Sequence, residues 1–282
     1  MKTAWITGAG GLIGNYLLRT AADCAPDLKP IGLTRSQLDL ADANAVRSAF
    51  RNQPPGLVIH CAALSRSPAC EANPALARKL NVEVTALLAE LAAEIPLVFL
   101  STDLVFDGRK GLYQEADAPN PLSVYAETKV AAEAIVRQNP CHTIIRTSLN
   151  GGTSPTGDRG FNEQMRQAWT AGQTLRLFTD EYRSPISAAV TAHAIWEIAQ
   201  RAPPATYHVA GSERLSLWQI GQLLASRWPQ LHPRLEAASL REYQGAPRAP
   251  DTSLNCSKAH ALLSSPLPGL TAWLTAHPAE PF

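Results

Sequence analysis

Cysteine pairs, metal-binding clusters and long apolar runs are all missing from this sequence of 282 residues. Its five cysteines are dispersed and form no Cys-x-x-Cys pair, which argues against a disulfide framework and favours a reducing, cytoplasmic compartment. The histidines and cysteines show no zinc-ligand spacing, so we expect no metal site. No apolar run reaches the length of a membrane span. Because Met1 leads almost directly into a predicted strand, we also expect no signal peptide.

Blocks of like charge are absent as well. The sequence has 25 Lys and Arg against 24 Asp and Glu, a formal net charge of +1, so we expect neither nucleic acid nor a membrane surface as a partner. Hydrophobic content of 45% and charged content of 17% are those of an ordinary globular protein. The length suits one large α/β domain, or a domain with a smaller lobe.

Glycines follow the first predicted strand at a spacing that suggests a nucleotide-binding turn. Segment 3–7 leads into Gly8-Ala-Gly-Gly-Leu-Ile-Gly14, and a predicted helix follows at 15–24. Strand, glycine turn and helix form the context of a dinucleotide fingerprint, in which turn amides and the helix N-terminus approach a pyrophosphate. The spacing is Gly-x-x-Gly-x-x-Gly rather than Gly-x-Gly-x-x-Gly, and a purely structural turn is the alternative.

The end of the second predicted strand, 30–34, bears on the choice of cofactor. An NAD enzyme usually places an Asp or Glu about twenty residues beyond the last glycine. Arg35 and Ser36 stand there instead, and a cation with a hydroxyl suits a 2′-phosphate. We therefore favour NADP, with NAD as the alternative; the other explanation of Arg35 is a solvated loop charge.

Three more apolar segments, 56–62, 96–101 and 142–146, have the pattern of buried parallel strands. With the first two strands they predict an α/β fold, a Rossmann-type doubly wound parallel sheet. We interpret His60 as a hydrogen-bonded core or strand-end histidine rather than a ligand. Thr102 follows a strand at the edge where α/β sheets bind ligands, so its hydroxyl is a candidate substrate contact; a Ser-Thr-Asp turn is the alternative.

A predicted helix opens at Ser123, a plausible N-cap, and carries Tyr125 and Lys129. Residues four apart on a helix lie on one face, about 6 Å from each other. An ammonium beside a phenol favours the phenolate, which would make the pair a proton donor to a carbonyl oxygen. For this spacing alone, a helix with a surface lysine and a half-buried tyrosine is the commoner explanation.

The composition changes beyond Asn150. Segment 151–160 is long and glycine-rich, as in a lid or specificity loop. The family resemblance set out below implies that residues 1–150 form an NADP-binding Rossmann domain with a later return near 177–210, and that residues 151–176 and 211–282 form a smaller C-terminal substrate-binding lobe. The elements predicted in this half are helices at 161–171, 188–201, 215–227 and 257–263 and strands at 174–178, 206–210 and 235–238.

Several motifs together resemble the extended short-chain dehydrogenases/reductases. These are Thr7 to Gly14, His60-Cys-Ala-Ala63, Asn81-Val82, Ser101-Thr-Asp103 and Tyr125-Ala-Glu-Thr-Lys129. Three further motifs narrow the resemblance to the dTDP-4-dehydrorhamnose reductase group, which also contains the regulatory subunit of methionine adenosyltransferase. They are Ser-Thr-Asp-x-Val-Phe-Asp-Gly (101–108), Arg146-Thr-Ser148 and Tyr207-His-Val-Ala-Gly211.

The resemblance implies hydride transfer from a nicotinamide to the keto group of a nucleotide-linked sugar. Tyr125 would protonate the forming alkoxide, and Lys129 would bind the nicotinamide ribose and lower the pKa of Tyr125. Thr102 would hydrogen-bond the carbonyl oxygen, and Asn81 would support the helix or a proton relay. The implied cofactor contacts are Gly8, Gly11, Leu12, Ile13, Gly14, Arg35, Ser36, Asp39, Leu40, Cys61, Ala62 and Ala63, with Tyr125 and Lys129.

The sequence also departs from the family pattern. Dehydratases of the wider family carry Asp-Glu after the catalytic Thr, whereas Leu104 follows Asp103 here, which disfavours dehydration. Rhamnose reductases usually have Tyr at the position of Leu104 and Trp at that of Leu149. The reductase chemistry is thus better supported than the deoxyrhamnose substrate. Candidate substrate contacts are Ser65, Leu104, Leu149, Arg183 and Arg248. For Arg183, Arg241 and Arg248 we weigh two interpretations equally, a ligand of a substrate diphosphate and a surface charge.

Two alternatives to the ketosugar reductase stay open. One is a non-catalytic NADP-binding regulatory subunit, and the other is a sugar-nucleotide epimerase or another reductase of the same superfamily. A homodimer is compatible with the sequence. Neither the sugar nor the nucleotide follows from it.

Overall fold

The computed structural model describes residues 2–280. Its strands are β1 (Lys2–Thr7), β2 (Leu28–Leu33), β3 (Leu57–His60), β4 (Leu97–Thr102), β5 (Thr143–Thr147), β6 (Asn150–Gly151), β7 (Thr174–Phe178), β8 (Tyr182–Arg183), β9 (Ile186–Ser187), β10 (Thr206–Val209), β11 (Leu215–Ser216) and β12 (Arg234–Ala238). Its α-helices are α1 (Leu12–Cys24), α2 (Ala43–Asn52), α3 (Ser67–Ala72), α4 (Pro74–Arg78), α5 (Val84–Leu91), α6 (Val124–Val136), α7 (Phe161–Thr170), α8 (Ala188–Arg201), α9 (Leu217–Arg227), α10 (Ser257–His260) and α11 (Leu270–Ala276).

Six strands form one parallel sheet in the order β2-β1-β3-β4-β5-β10. From β1 the chain moves outward to β2, then crosses back to add β3, β4 and β5 on the other side of β1. The direction of strand addition therefore reverses between β1 and β3, and such a switch point opens a crevice at the carboxyl ends of the strands. This sheet, with helices on both faces, confirms the predicted Rossmann-type fold.

Both faces of the sheet are covered by apolar side chains. On one face α1 and α8 pack together, and Trp196 lies fully buried against them with its indole N–H donated to the Leu17 carbonyl. On the other face α2, α5 and α6 cover Trp5, Val58 and Phe99. Strands buried on both faces read as continuous apolar runs, which is why their sequences were recognisable.

A third apolar cluster lies outside the sheet. It joins α7, β7, α9 and α11 through Met165, Trp169, Leu177, Leu224 and Trp273. Strand β7 pairs with β12 within this region, whereas α8 and β10 return to the main sheet. The region also contains a capping box at the start of α9, where Ser216 and Gln219 bond to each other's backbone amides.

Several predicted elements differ from those observed. Helix α1 begins at Leu12 rather than Asn15, because Gly11 serves as its N-cap. Helices α3 and α11 were not predicted, since each begins beside proline or glycine residues that resemble loop sequence. The first two residues of the predicted helix 215–227 form β11 instead. None of the helices within residues 2–280 is both long and apolar enough to cross a membrane.

Candidate active site

The glycine turn after β1 brings three backbone segments into close contact. Gly8 has a φ of +71°, and a Cβ there would lie 2.7 Å from the Ala62 nitrogen at the end of β3. A Cβ on Gly14 would lie 2.3 Å from the Gly8 oxygen, so Gly14 lets α1 approach the turn. Gly11 is the N-cap of α1 and provides no side-chain cap. The leading amides of α1 are consequently available to an anion, as a dinucleotide pyrophosphate requires.

The other candidate cofactor residues surround this turn. Leu12 and Ile13 bury their side chains in the core and present backbone amides at the start of α1. Arg35 and Ser36 follow β2 on the surface, where Ser36 bonds to the hydroxyl of Thr34. Within residues 2–280 the Arg35 guanidinium has no ion-pair or hydrogen-bond partner. Asp39 bonds to the Ala41 amide, and half-buried Leu40 packs beside the core; both lie on the same loop as Arg35.

His60 is buried at the end of β3, and both of its ring nitrogens are hydrogen-bonded. Nδ1 lies 2.7 Å from the Thr7 hydroxyl and Nε2 lies 3.0 Å from the Thr85 hydroxyl. Thr85 donates its hydrogen to the Asn81 carbonyl, so Nε2 carries the imidazole proton and Nδ1 accepts. Burial lowers the pKa of His60 to about 3, which keeps the ring neutral. The prediction of a hydrogen-bonded core histidine is confirmed.

Asn81 lies in a π-helical turn, Lys79–Glu83, between α4 and α5. Its Nδ2 donates to the Leu64 carbonyl at 3.1 Å and to the Thr128 hydroxyl at 2.9 Å, and its Oδ1 accepts from the Leu64 amide at 2.7 Å. One buried amide therefore holds the loop after β3 against helix α6. Such π-turns within α-helices are frequent at functional sites.

Tyr125 and Thr102 meet at the carboxyl end of β4. Ser123 caps α6 by accepting from the Ala126 amide, and this places Tyr125 in the first turn of the helix. The Thr102 hydroxyl lies near enough to the Tyr125 phenol to act on its pKa. Burial and the Asp103 carboxylate raise the pKa of Tyr125 above the ordinary tyrosine value, and the Thr102 hydroxyl offsets part of this effect. The phenol therefore keeps its proton at neutral pH.

Lys129 is buried one turn further along α6. Its ammonium donates to the Leu100 carbonyl at 2.6 Å and lies 3.9 Å from the centre of the Phe99 ring. Burial lowers the pKa of Lys129 to about 7, although Glu133 and Cys61 act in the opposite direction. Lys129 is not among the groups that shift the pKa of Tyr125 in this structure, so the lowering of that pKa by Lys129 stays a prediction.

Asp103 is fully buried beside Thr102 and is bound by Arg183. Arg183 donates from Nε at 2.7 Å and from Nη2 at 2.6 Å, one bond to each carboxylate oxygen. Arg248 makes the same kind of two-nitrogen contact with Glu181 and lies against Phe178 and Tyr243. Both guanidinium groups therefore face a carboxylate, and contact of either arginine with a substrate diphosphate stays a prediction.

The remaining substrate candidates lie around the same edge of the sheet. Leu104 follows Asp103 in a short 3₁₀ turn, and its amide donates to the Thr102 hydroxyl. Leu149 follows β5 and packs against the third apolar cluster. Ser65 is exposed and follows Leu64, whose backbone is hydrogen-bonded to Asn81. Arg241 is exposed in the short turn that follows β12.

Sequence reasoning missed the ion pair beneath this site. Glu133 accepts from Arg146 at 2.9 and 2.7 Å and from the Ser101 hydroxyl at 2.6 Å, with both charged side chains about 1% exposed. Burial would raise the pKa of Glu133, but the bonds from Arg146 outweigh it and lower that pKa. The available signal in the sequence was the four-residue spacing of Lys129 and Glu133, which places the Glu133 carboxylate on the same face of α6 as the lysine.

These residues surround one crevice and fit a nicotinamide dinucleotide. The glycine cradle and uncapped α1 amides suit a pyrophosphate, and Thr102, Tyr125 and Lys129 lie together at the neighbouring strand ends. Fold and site define an extended short-chain dehydrogenase/reductase, a class of NAD(P)-dependent oxidoreductases. More narrowly, the chain belongs to the family described as RmlD substrate binding domain, whose model matches residues 1–277.

Two curated relatives span most of the chain. A dTDP-4-dehydrorhamnose reductase of Sinorhizobium fredii is 31% identical over 278 residues, which cover 93% of this chain and 92% of the relative. Methionine adenosyltransferase 2 subunit beta of Bos taurus is 27% identical over 271 residues, covering 91% and 81%.

Solved structures share the whole fold. A hypothetical dTDP-4-dehydrorhamnose reductase from Sulfolobus tokodaii is 30% identical with a TM-score of 0.84, and the match covers 96% of this chain and 97% of that one. A dTDP-4-dehydrorhamnose reductase from Bacillus anthracis, solved in complex with NADP, has a TM-score of 0.88 at 22% identity and covers 98% of each chain.

Proposed function

We propose that this protein is an NADPH-dependent reductase of a nucleotide-linked 4-keto sugar, with Tyr125 as the proton donor. The observation that carries the proposal is the placement of Tyr125, in the first turn of α6, near Thr102 at the carboxyl end of β4. Similarity to dTDP-4-dehydrorhamnose reductases supports the substrate class. The region containing the third apolar cluster, within 151–176 and 211–282, would hold the sugar nucleotide.

The proposed chemistry assigns one task to each side chain. The nicotinamide, when bound, supplies the hydride. Tyr125 holds its proton at neutral pH and gives it to the carbonyl oxygen as negative charge develops there. Thr102 directs its hydroxyl at the same oxygen. Lys129, whose pKa is about 7, would bind the nicotinamide ribose.

The direct test is turnover by the purified protein. We expect NADPH absorbance to fall when dTDP-linked or other nucleotide-linked 4-keto-6-deoxy sugars are offered, and not when the free sugars are offered. Binding of NADPH without turnover of any such sugar would contradict the proposal. In that case the second candidate, a regulatory subunit like methionine adenosyltransferase 2 subunit beta, would be tested by adding the protein to a methionine adenosyltransferase and measuring its rate.

We further propose NADPH rather than NADH, because Arg35 is exposed and unpaired at the end of β2, where it can meet a 2′-phosphate. Changing Arg35→Ala should weaken NADPH binding by about tenfold, the value of one charge-assisted hydrogen bond, and leave NADH binding unchanged. Isothermal titration with both nucleotides measures this. Arg51→Ala, at an exposed arginine of α2, is the matched control. Equal losses for both nucleotides would contradict the assignment.

The unpaired cysteines fit a cytoplasmic location.

A further inference from the structure

The Asp103 carboxylate is surrounded by donors from four separate parts of the chain. Besides the two bonds from Arg183, it accepts from the hydroxyls of Ser148 at 2.5 Å, Thr252 at 3.2 Å and Thr102 at 3.2 Å. Arg183 is itself only 7% exposed. It lies on β8, which pairs with β11, whereas Asp103 directly follows β4 of the main sheet. The ion pair therefore links β8 to the end of β4, next to Thr102.

The Thr102 hydroxyl has one hydrogen to donate. Asp103 Oδ1 accepts it at 3.2 Å, and the Tyr125 phenol lies near enough for the Thr102 hydroxyl to lower its pKa. The Leu104 amide already donates to the Thr102 oxygen, which leaves this hydrogen as the only further donor of that side chain. A carboxylate is the stronger acceptor unless its own charge is met by another donor.

We propose that Arg183 is a positioning residue that acts through Thr102. By holding both oxygens of Asp103 at 2.6 and 2.7 Å, it leaves the carboxylate only a long bond to Thr102 and so keeps the Thr102 hydrogen available to a carbonyl oxygen next to Tyr125. This role rests on the proposed reductase function. This positioning role also differs from binding a substrate phosphate, because Nε and Nη2 of Arg183 both donate to Asp103.

The charged and titratable groups around Tyr125 agree with this arrangement. Asp103 and Cys70, from the end of β4 and from α3, raise the pKa of Tyr125, and Arg183 lowers it. Loss of Arg183 would therefore have two effects on the site. It would let Asp103 hold the Thr102 hydrogen more tightly than in the present 3.2 Å bond, and it would leave a buried negative charge beside the phenol.

Kinetics of a double-mutant cycle test the proposal. Arg183→Gln should lower kcat by about tenfold or more with little change in KM, since removing an oxyanion donor costs about a hundredfold or more. In a Thr102→Val background the same change should have almost no further effect, because the two residues act in series. Arg47→Gln is the control, since Arg47 makes the same two-nitrogen contact with Glu90 on the distant surface. An equal loss in both backgrounds would overturn the proposal and show that Arg183 acts on the substrate directly.

A second measurement needs no turnover and serves if Arg183→Gln fails to fold. The double variant Asp103→Asn/Arg183→Gln removes both buried charges together. Titration of ¹³C-labelled tyrosine, with the Tyr125 signal assigned by its loss in Tyr125→Phe, should then show the phenol titrating at lower pH than in the parent. An unchanged titration would overturn the proposal. If the shift appears but the parent protein turns over no ketosugar, the reductase function fails while the contact stands.

Discussion

At the scale of single residues, Lys129 shows how burial changes the chemistry of an ammonium group. Its amine lies under the sheet edge, bonded to the Leu100 carbonyl and packed on Phe99, with 2% of the residue exposed. Desolvation penalises the charged form, and this penalty exceeds the attraction of Glu133. Tyr125 is protonated and Lys129 is close to its titration point at neutral pH.

The lowered pKa of Lys129 predicts a pH-dependent stability. Its folded pKa, about 7, is below the ordinary lysine value of 10.5, so the unfolded chain binds more protons between those two pH values. The free energy of unfolding should therefore rise with pH across this window, and the penalty on the charged amine should be fully present below it. Urea unfolding at several pH values measures this slope.

Two variants isolate the contribution of this lysine. Lys129→Met keeps the apolar stem over Phe99 and should reduce the increase of the free energy of unfolding with pH. Lys79→Met, at an exposed lysine of the π-helical turn, should leave it intact. A rise of the same size in Lys129→Met and the parent would contradict the lowered pKa.

At the scale of elements, the contact between β1, β3 and α1 depends on two glycines. Gly14 has no room for a Cβ, which would overlap the Gly8 carbonyl, whereas a Cβ on Gly10 would meet only Thr34 Cγ2 at 3.7 Å. Helix α1 can approach the turn closely only because Gly14 lacks a side chain. The same approach directs the first amides of α1 into the crevice.

Gly14→Ala should therefore displace α1 and lower the free energy of unfolding by about 1–3 kcal/mol, the usual cost of overpacking. It should also weaken dinucleotide binding. Gly10→Ala should change stability by less than about 1 kcal/mol, because its Cβ would have space. Thermal denaturation and nucleotide titration of the two variants compare these effects. Equal destabilisation by both changes would contradict the packing described for the turn.

The elements differ in how well the sequence predicts them. Strands β3, β4 and β5 are short apolar runs between turns, and helix α8 is bounded by Ser187 and Ala202, so periodicity and capping locate them closely. Helix α3 was missed because Pro68 in a Ser-Arg-Ser-Pro segment resembles a loop, although proline is well suited to a first helical turn.

At the scale of the whole molecule, buried ion pairs join parts of the chain that are far apart in sequence. Asp103 meets Arg183 and Thr252 at separations of 80 and 149 residues. A local pattern locates Thr102, Tyr125 and the glycine turn, because each belongs to one strand, turn or helix. It cannot locate a partner that only the completed fold brings close, which is why the ion pair of Arg183 with Asp103 was not predicted.

The Glu133–Arg146 pair predicts a large stability difference between two arginines. Arg146→Ala leaves the buried Glu133 carboxylate without its main partner and should cost about 3–5 kcal/mol. Arg137→Ala removes the 53%-exposed second partner of the same carboxylate and should cost at most about 1 kcal/mol. Urea unfolding of the two variants provides the comparison. Similar small losses in both would contradict the role given to the buried pair.

The most direct test of the account is reduction of a nucleotide-linked 4-keto sugar by the parent protein and by Tyr125→Phe. Single-turnover loss of NADPH absorbance measures the chemical step, and a separate titration measures NADPH affinity. We predict that the variant binds NADPH as the parent does and reduces the sugar at least about a hundredfold more slowly, as expected when a general acid is lost. An equal rate in the two proteins would contradict the assignment of Tyr125 as the proton donor.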